Sequence, residues 1–492
     1  MAQRDLRAWI NLLEEEGDLK RITAEVDWNR ELGAITRRVF SEGGPALLFE
    51  NIKDYKQGRC TKLFTGGLAR MDRMARMLDL PRESQPGVTL RTMMDRYKKT
   101  IPPVRVSTGP VKENIIKRGN VDLAEFPAPI WHHWDGGRYI NTFAGVVSRD
   151  PDTGIQNLGI YRGMIGKKNT IPTQLWPAQH WGHHWLKYAD KGEPMPVACV
   201  IGWGPVLAYA GSSPIPLGLS EYDVMGGLAQ EPVELVQCET VDLEVPATAE
   251  IVIEGTISPD SSDFEIEGPF GEFTGYYGGA RMPRHSIHVT CITHRNDPIF
   301  RGTLEGTLPG QHNENSTMCS IQRAALAWNV LNTAGVPHVT DVWVHPVTNG
   351  TNIVVQIHKI YRGHAKQVSA ALWGSNAAHL RYKHVMVVDE DIDIHSYEAL
   401  DWAFAYRVNA GEDDIVIYPD NFGSALDPST RLDQRDTHLY GTGKWNRMLI
   451  DATVNWNFEK QERWGNKRYP PTCDVAPEDK ELVAKRWKEY GF

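Results

Sequence analysis

The chain has 492 residues, 41% hydrophobic and 23% charged, with a formal net charge of −9. That balance suits a globular protein with a large buried core, and the lack of a basic tract argues against a nucleic-acid partner. No apolar run of about 18 residues exists, and no apolar signal region follows Met1-Ala2-Gln3-Arg4-Asp5, so the expectation is a cytoplasmic protein with no transmembrane segment.

At roughly 150 residues per domain, the length predicts two to four domains. Leu6, Ile10 and Leu13 share one face of a first helix. Ile22 to Val26 reads as a strand, Glu31 to Phe40 as a second helix, and Pro102-Pro103 as a boundary. From about Asp122 to Ile299 short runs rich in Val, Ile, Tyr and Thr recur between Gly, Pro and Asp. They are Thr142–Val147, Leu158–Met164, Val197–Gly202, Val233–Val236, Glu250–Ile257 and His285–Thr293, a pattern that predicts a barrel or sandwich. The longest helical candidate within this stretch is His183–Tyr188.

After Gly310 the pattern alternates. Helices are expected at Ile321–Leu331, Ala365–Trp373 and Tyr397–Arg407, and strands at Val339–His345, Ile353–Ile357, His384–Val388 and from Asp414. This alternation predicts a layered α/β unit, followed by a charged helix in the tail from Pro477. The six cysteines (60, 199, 238, 291, 319 and 473) show no CxxC spacing and read as reduced thiols.

Four segments could carry chemistry. Glu265, Glu267 and Glu272 lie within eight residues, among glycines and aromatics. Glycines let a backbone approach a ligand closely, and clustered carboxylates raise one another's pKa, which suits proton transfer; solvated acids on a surface loop would look the same. Arg162 ends a β-like run and, if buried, requires a carboxylate partner. His180 and His184 are spaced to share a helix face, either as metal ligands or as packing beside Trp181 and Trp185. The small-residue turn Ala210–Ser213, followed by Pro214, Pro216, Leu217 and then Glu221, could offer carbonyls and a carboxylate to a hard cation, or be an ordinary loop. No GxGxxG, GxxxxGK[ST] or GxSxG motif is present.

Together, in this order, these segments resemble the UbiD family of reversible decarboxylases. The resemblance extends over Val245–Gly255, Gly363-His364-Ala365-Lys366, Asp389-Glu390-Asp391-Ile392-Asp393 and Lys444–Thr453, nearly the whole chain. It implies an α+β multidomain fold. A small N-terminal α/β domain (1–115) would precede a split β-barrel that binds the flavin (116–305), a C-terminal α/β oligomerisation domain (306–470) and a helical tail (471–492). It also implies a homodimer or homohexamer. The implied cofactor is prenylated FMN, supplied by a partner flavin prenyltransferase, with a divalent metal (usually manganese) and potassium or sodium.

Carried over by resemblance, the divalent ligands are Asn157, His180 and Glu221. The monovalent ion takes Ala210, Gly211, Ser213 and Glu221. Ile160 and Gln179 line the flavin, and Arg162, Glu267 and Glu272 form the catalytic network. In that network Arg162 positions the substrate carboxylate, Glu272 donates the replacing proton and Glu267 holds Arg162. The implied reaction releases CO₂ from an aromatic, heteroaromatic or other α,β-unsaturated acid. The alternatives are an aromatic acyl-CoA with a free ring carboxylate, a non-catalytic or maturation subunit of a larger carboxylase, and a metal hydrolase built on the histidines. Two departures stand out. Asn376 occupies the position of a family lysine that contacts the flavin phosphate, with Lys383 the nearby substitute, and Glu272 stands where many ubiquinone-pathway relatives carry Asp.

Overall fold

The structure is a computed structural model; it describes residues 5–213, 215, 218–378, 380–436, 439 and 442–492. Pro214, Pro216 and Leu217 of the small-residue turn lie outside the described residues.

The N-terminal segment carries helices α1 (Leu6–Glu15), α2 (Glu31–Ser41), α3 (Met71–Met77) and α4 (Pro86–Tyr97). Helix α1 forms as its spacing requires. Asp5 caps its N-terminus by accepting the Ala8 N–H at 2.8 Å, and Leu6, Ile10 and Leu13 are buried with Trp9. The first strand is β1 (Leu19–Ile22), ending where the sequence reading placed a beginning; Val26 makes only an isolated bridge to Ile52. Strands β2 (Ala46–Phe49) and β3 (Lys62–Thr65) follow. The fourth strand of this sheet, Ile299–Arg301, comes from far along the chain and lies parallel to β3. Arg301, buried, pairs with Glu314. Glu314 also accepts the Gly66 N–H at 3.0 Å and the Leu68 N–H at 2.7 Å, so three distant segments meet at one carboxylate.

The central strands are β4 (Asn114–Lys117), β5 (Gly145–Arg149), β6 (Gln156–Ile160), β7 (Thr170–Pro172), β8 (Met195–Ile201), β9 (Ile251–Ile257) and β10 (Ser286–His294). They form a seven-stranded antiparallel sheet of order β7-β10-β9-β8-β5-β6, with β4 also pairing β10. Among the described residues its pairing does not close on itself. Both faces are covered: Val197, Cys199 and Ile201 of β8 join one apolar core, while Ala198 and Val200 join the other. Hence β8 reads as a continuous apolar run rather than an alternation. Helices α5 (His180–Lys191), α6 (Pro205–Gly211) and α7 (Glu221–Ala229) lie between these strands in sequence. Helix α5 is longer than the expected His183–Tyr188 because it starts three residues earlier and runs to a left-handed Gly192 at φ 70°.

The last unit begins with α8 (Glu314–Thr333), whose N-terminus is closed by a reciprocal Asn313/Ser316 capping box. Strands β12 (Val339–Trp343), β13 (Asn352–Ile357), β14 (His384–Asp389), β15 (Ile415–Phe422) and β16 (Lys444–Ala452) follow, Ile299–Arg301 being β11. They form a mixed five-stranded sheet, order β12-β13-β14-β16-β15, parallel across β13-β14-β16. Helices α9 (His364–Trp373) and α10 (Tyr397–Arg407) accompany it, and α11 (Pro477–Arg486) ends the chain. No helix among the described residues is long and apolar enough to cross a membrane.

Candidate active site

A cavity of about 610 Å³ opens between the central sheet, the 267–278 loop and α8, within the range of ordinary small-molecule sites. Strand β6 sends Asn157 and Ile160 to its wall, and Arg162 follows two residues past the strand end. Gln179 and His180 arrive at the start of α5, and Glu221 at the start of α7. Gly211 and Ser213 enter at the end of α6.

The acidic loop divides its three carboxylates. Glu265 accepts from Thr170 Oγ1 at 2.9 Å and stays off the wall. Glu267, fully buried, accepts from Arg162 Nη2 at 2.7 Å and from Tyr139 Oη at 2.8 Å. Glu272 takes the other terminal nitrogen of Arg162 and lines the cavity. One guanidinium therefore sits between two buried carboxylates, its Nε left without a partner and its Cζ 5.5 Å from the centre of the Phe270 ring. Burial pulls the Arg162 pKa down, but Glu272 and Glu267 outweigh it and hold the group cationic. Burial raises the Glu272 carboxyl above its ordinary range, with Arg162 opposing and Glu267 adding to the rise. Glycine is required here: a Cβ at Gly278 would stand 2.3 Å from Glu272 Cγ, and one at Gly279 (φ +77°) 2.9 Å from Arg162 Nη2.

At the β6–α5–α7 corner, His180 Nδ1 lies 2.9 Å from Asn157 Oδ1, while Asn157 Nδ2 is buried without a partner. Glu221, 3% exposed, accepts the Leu158 N–H at 2.8 Å. Burial pushes its carboxyl up to about 8, the backbone bond offsetting only part of the rise. A buried carboxylate beside an imidazole and an amide oxygen fits a hard divalent cation, which would supply the missing positive charge. Ser213 accepts from Gln322 Nε2 and contacts Tyr97 Oη. Ala210 does not reach the wall, and its carbonyl accepts the Ser213 N–H at 2.9 Å.

The histidine cluster does not converge. His184 turns away to Ser148 Oγ at 3.0 Å, and His183 is exposed. Among the described residues no three His, Cys, Asp or Glu side chains are grouped to hold a metal. Lys383 is bound to Asp427 at 2.9 Å and Ser429 Oγ at 2.6 Å, and only Asn376 of that pair lines the cavity.

Sequence reasoning missed four wall or supporting residues: Tyr139, Glu305, Arg323 and Arg381. Glu305 is buried and accepts from Asn315 Nδ2 at 3.2 Å; burial, then the charge of Glu272, push it up to about 7. Arg323 and Arg381 are each 7% exposed and line the cavity. Only their burial on the cavity wall makes them noticeable.

The chain matches three family models. They are the 3-octaprenyl-4-hydroxybenzoate carboxy-lyase N-terminal domain (residues 10–88), Rift-related domain (103–308) and C-terminal domain (316–452). It is 33% identical over 503 residues to a pyrrole-2-carboxylic acid decarboxylase of Pseudomonas aeruginosa, covering 99% of this chain and 98% of the relative. The UbiD-class enzyme HmfF from Pelotomaculum thermopropionicum, solved in complex with FMN, superimposes with a TM-score of 0.80 at 34% identity, covering 96% of this chain and 99% of that one. The closed form of a Sedimentibacter hydroxybenzoicus vanillic acid decarboxylase superimposes with a TM-score of 0.86 at 29% identity, covering 100% and 99%.

Proposed function

Since the chain belongs to the UbiD family of carboxy-lyases, we propose that it removes CO₂ reversibly from an aromatic, heteroaromatic or other α,β-unsaturated acid with prenylated FMN in the cavity. The observation that carries this reading is Arg162 clamped between buried Glu267 and Glu272 on the wall of a cavity of cofactor size.

Asn157, His180 and Glu221 would hold a divalent metal, manganese, at the flavin phosphate. Gly211, Ser213 and Glu221, with Ala210, would hold potassium or sodium. Ile160 and Gln179 would line the ring. When bound, the flavin supplies the electron sink for the bond to CO₂. Arg162, on the cavity wall, receives the substrate carboxylate through charge-assisted hydrogen bonds. Glu267 and Tyr139 fix its orientation. As CO₂ leaves, the carbon that carried it gains a proton from Glu272, whose carboxyl burial pushes above its ordinary range. Glu272 is then reprotonated from solvent.

The domain limits at 115, 305 and 470, the split-barrel description of the central sheet and a cytoplasmic location belong to the same reading. Five buried free thiols support a reducing compartment. Exposed Trp402, Phe404 and Tyr406 on α10 support a homodimer or homohexamer. The test is coexpression with a flavin prenyltransferase, followed by absorption and mass analysis of the released cofactor and a screen of aromatic acids. A prenylated FMN mass with CO₂ release supports the reading. Folded protein that takes up no flavin with manganese and potassium present would overturn it.

A further inference from the structure

We propose that Arg323 and Arg381 form an anion subsite for a second, non-reacting carboxylate, so that the acid this chain takes is a dianion. The inference rests on the decarboxylase reading above and names its substrate class.

Helix α8 borders the cavity. Asn315, Cys319 and Arg323, four residues apart, form one stripe of that helix along the cavity wall. Arg381 comes from the segment just before β14. The two stems flank the same glycine: a Cβ at Gly350 (φ +80°) would lie 2.9 Å from Arg381 Cδ and 3.4 Å from Arg323 Cγ. The guanidinium of Arg381 stacks 4.2 Å from the Phe273 ring, the residue that follows Glu272. The pair therefore borders the loop that carries the proton donor.

Neither arginine has a carboxylate partner among the described residues. Arg323 Nε and Nη1 and Arg381 Nε are buried with no hydrogen-bond partner, and the Arg381 Nη1–H goes to the Leu380 carbonyl at 2.8 Å. Every other strongly basic group on the wall is compensated, since Arg162 has two glutamates. Two like charges buried together are costly unless an anion is to occupy the space between them. Burial and the neighbouring Arg323 already push Arg381 down to about 10.

The flavin phosphate is the competing source of that anion. Gln322, one residue earlier on α8, faces a different way and donates to Ser212 Oγ at 2.9 Å and to Ser213. That is the turn assigned above to the phosphate end. Arg381 instead meets Phe273, at the substrate end, and Arg323 shares the Gly350 wall with it. A planar guanidinium suits a carboxylate bidentately.

The test uses holoenzyme titrated with benzoate, benzene-1,3- and benzene-1,4-dicarboxylate, and the monomethyl ester of each diacid. Binding is read calorimetrically or from the flavin absorbance. The better diacid should bind about 10- to 100-fold tighter than its monoester, the worth of charge-assisted hydrogen bonds. Arg323→Met and Arg381→Met should each erase that preference while leaving benzoate affinity, flavin content and melting temperature as in the parent; Arg323→Lys should keep part of it. Equal binding of diacid and monoester to the parent protein would overturn the proposal. So would loss of flavin from Arg323→Met or Arg381→Met in folded protein, which would assign the arginines to the phosphate. Because binding is read without turnover, failure to decarboxylate any acid would strike the proposed function and leave this assignment standing.

Discussion

Glu305→Gln isolates one buried carboxyl. In the folded protein Glu305 sits against Asn315, close enough to Glu272 to feel its charge, and its pKa rises from an ordinary 4.5 to about 7, chiefly through burial. A carboxyl that binds its proton more tightly when folded contributes fully to stability below pH 4.5 and loses that contribution as the pH climbs through about 7. A difference of about 2.5 pH units at 1.36 kcal/mol each amounts to about 3 kcal/mol. Glutamine keeps an oxygen for Asn315 and cannot ionise, so the variant should be the more stable by about that much at pH 8 and little different at pH 4.5. The assay is denaturant or thermal melting of parent and variant across pH 4.5–8, following the transition of the unit that contains the cavity, since a chain of several domains need not melt in one step. Parallel stability curves would refute the reasoning, because they would mean that Glu305 ionises as freely folded as unfolded.

Other perturbations separate the roles around the cavity. Glu272→Gln should retain the flavin while turnover falls by about 10²–10⁴-fold, seen as an unaltered cofactor spectrum with no CO₂ release. In the parent, decarboxylation should decline as the pH rises through the raised Glu272 pKa, because the donor must enter protonated; a rate that rises steadily to pH 9 would remove the assignment. Glu221→Ala should lose manganese and flavin together, measured by metal analysis and absorption. Gly279→Ala combines a strained φ with a Cβ placed 2.9 Å from Arg162 Nη2; it should weaken acid binding, raising KM at least several-fold, while the metal content stays at the parent level.

The sequence made visible the elements whose pattern is local. Helix α1 is legible because one face is apolar and Asp5 caps it. In contrast, β2 is buried at all four positions, with no alternation to mark it, and the strand read at Ile22–Val26 ends at Ile22 because pairing with Ala46–Phe49 sets the register. Strand β16 was legible only as a motif, Lys444–Thr453; its place between β14 and β15 is a tertiary fact. At the site, resemblance singled out Arg162, Glu267 and Glu272, and the structure puts their charged ends in contact. Tyr139 lies 128 residues from the glutamate it holds, and nothing near it in sequence marks it. Arg323 and Arg381 could not be told from surface arginines until the structure showed them buried, with no carboxylate partner among the described residues. The reverse holds for His184, conspicuous in sequence but engaged with Ser148 in packing.

The strand Ile299–Arg301 completes the N-terminal sheet from more than two hundred residues beyond its other members. A fragment cut at residue 115 would therefore expose one flank of Lys62–Thr65, a row of unsatisfied amides and carbonyls of the kind that recruits foreign chains. It would also strip Gly66 and Leu68 of the Glu314 carboxylate. The opening hundred residues are thus not a detachable module, and ribosomal synthesis must hold them incomplete until the strand and the start of α8 have emerged.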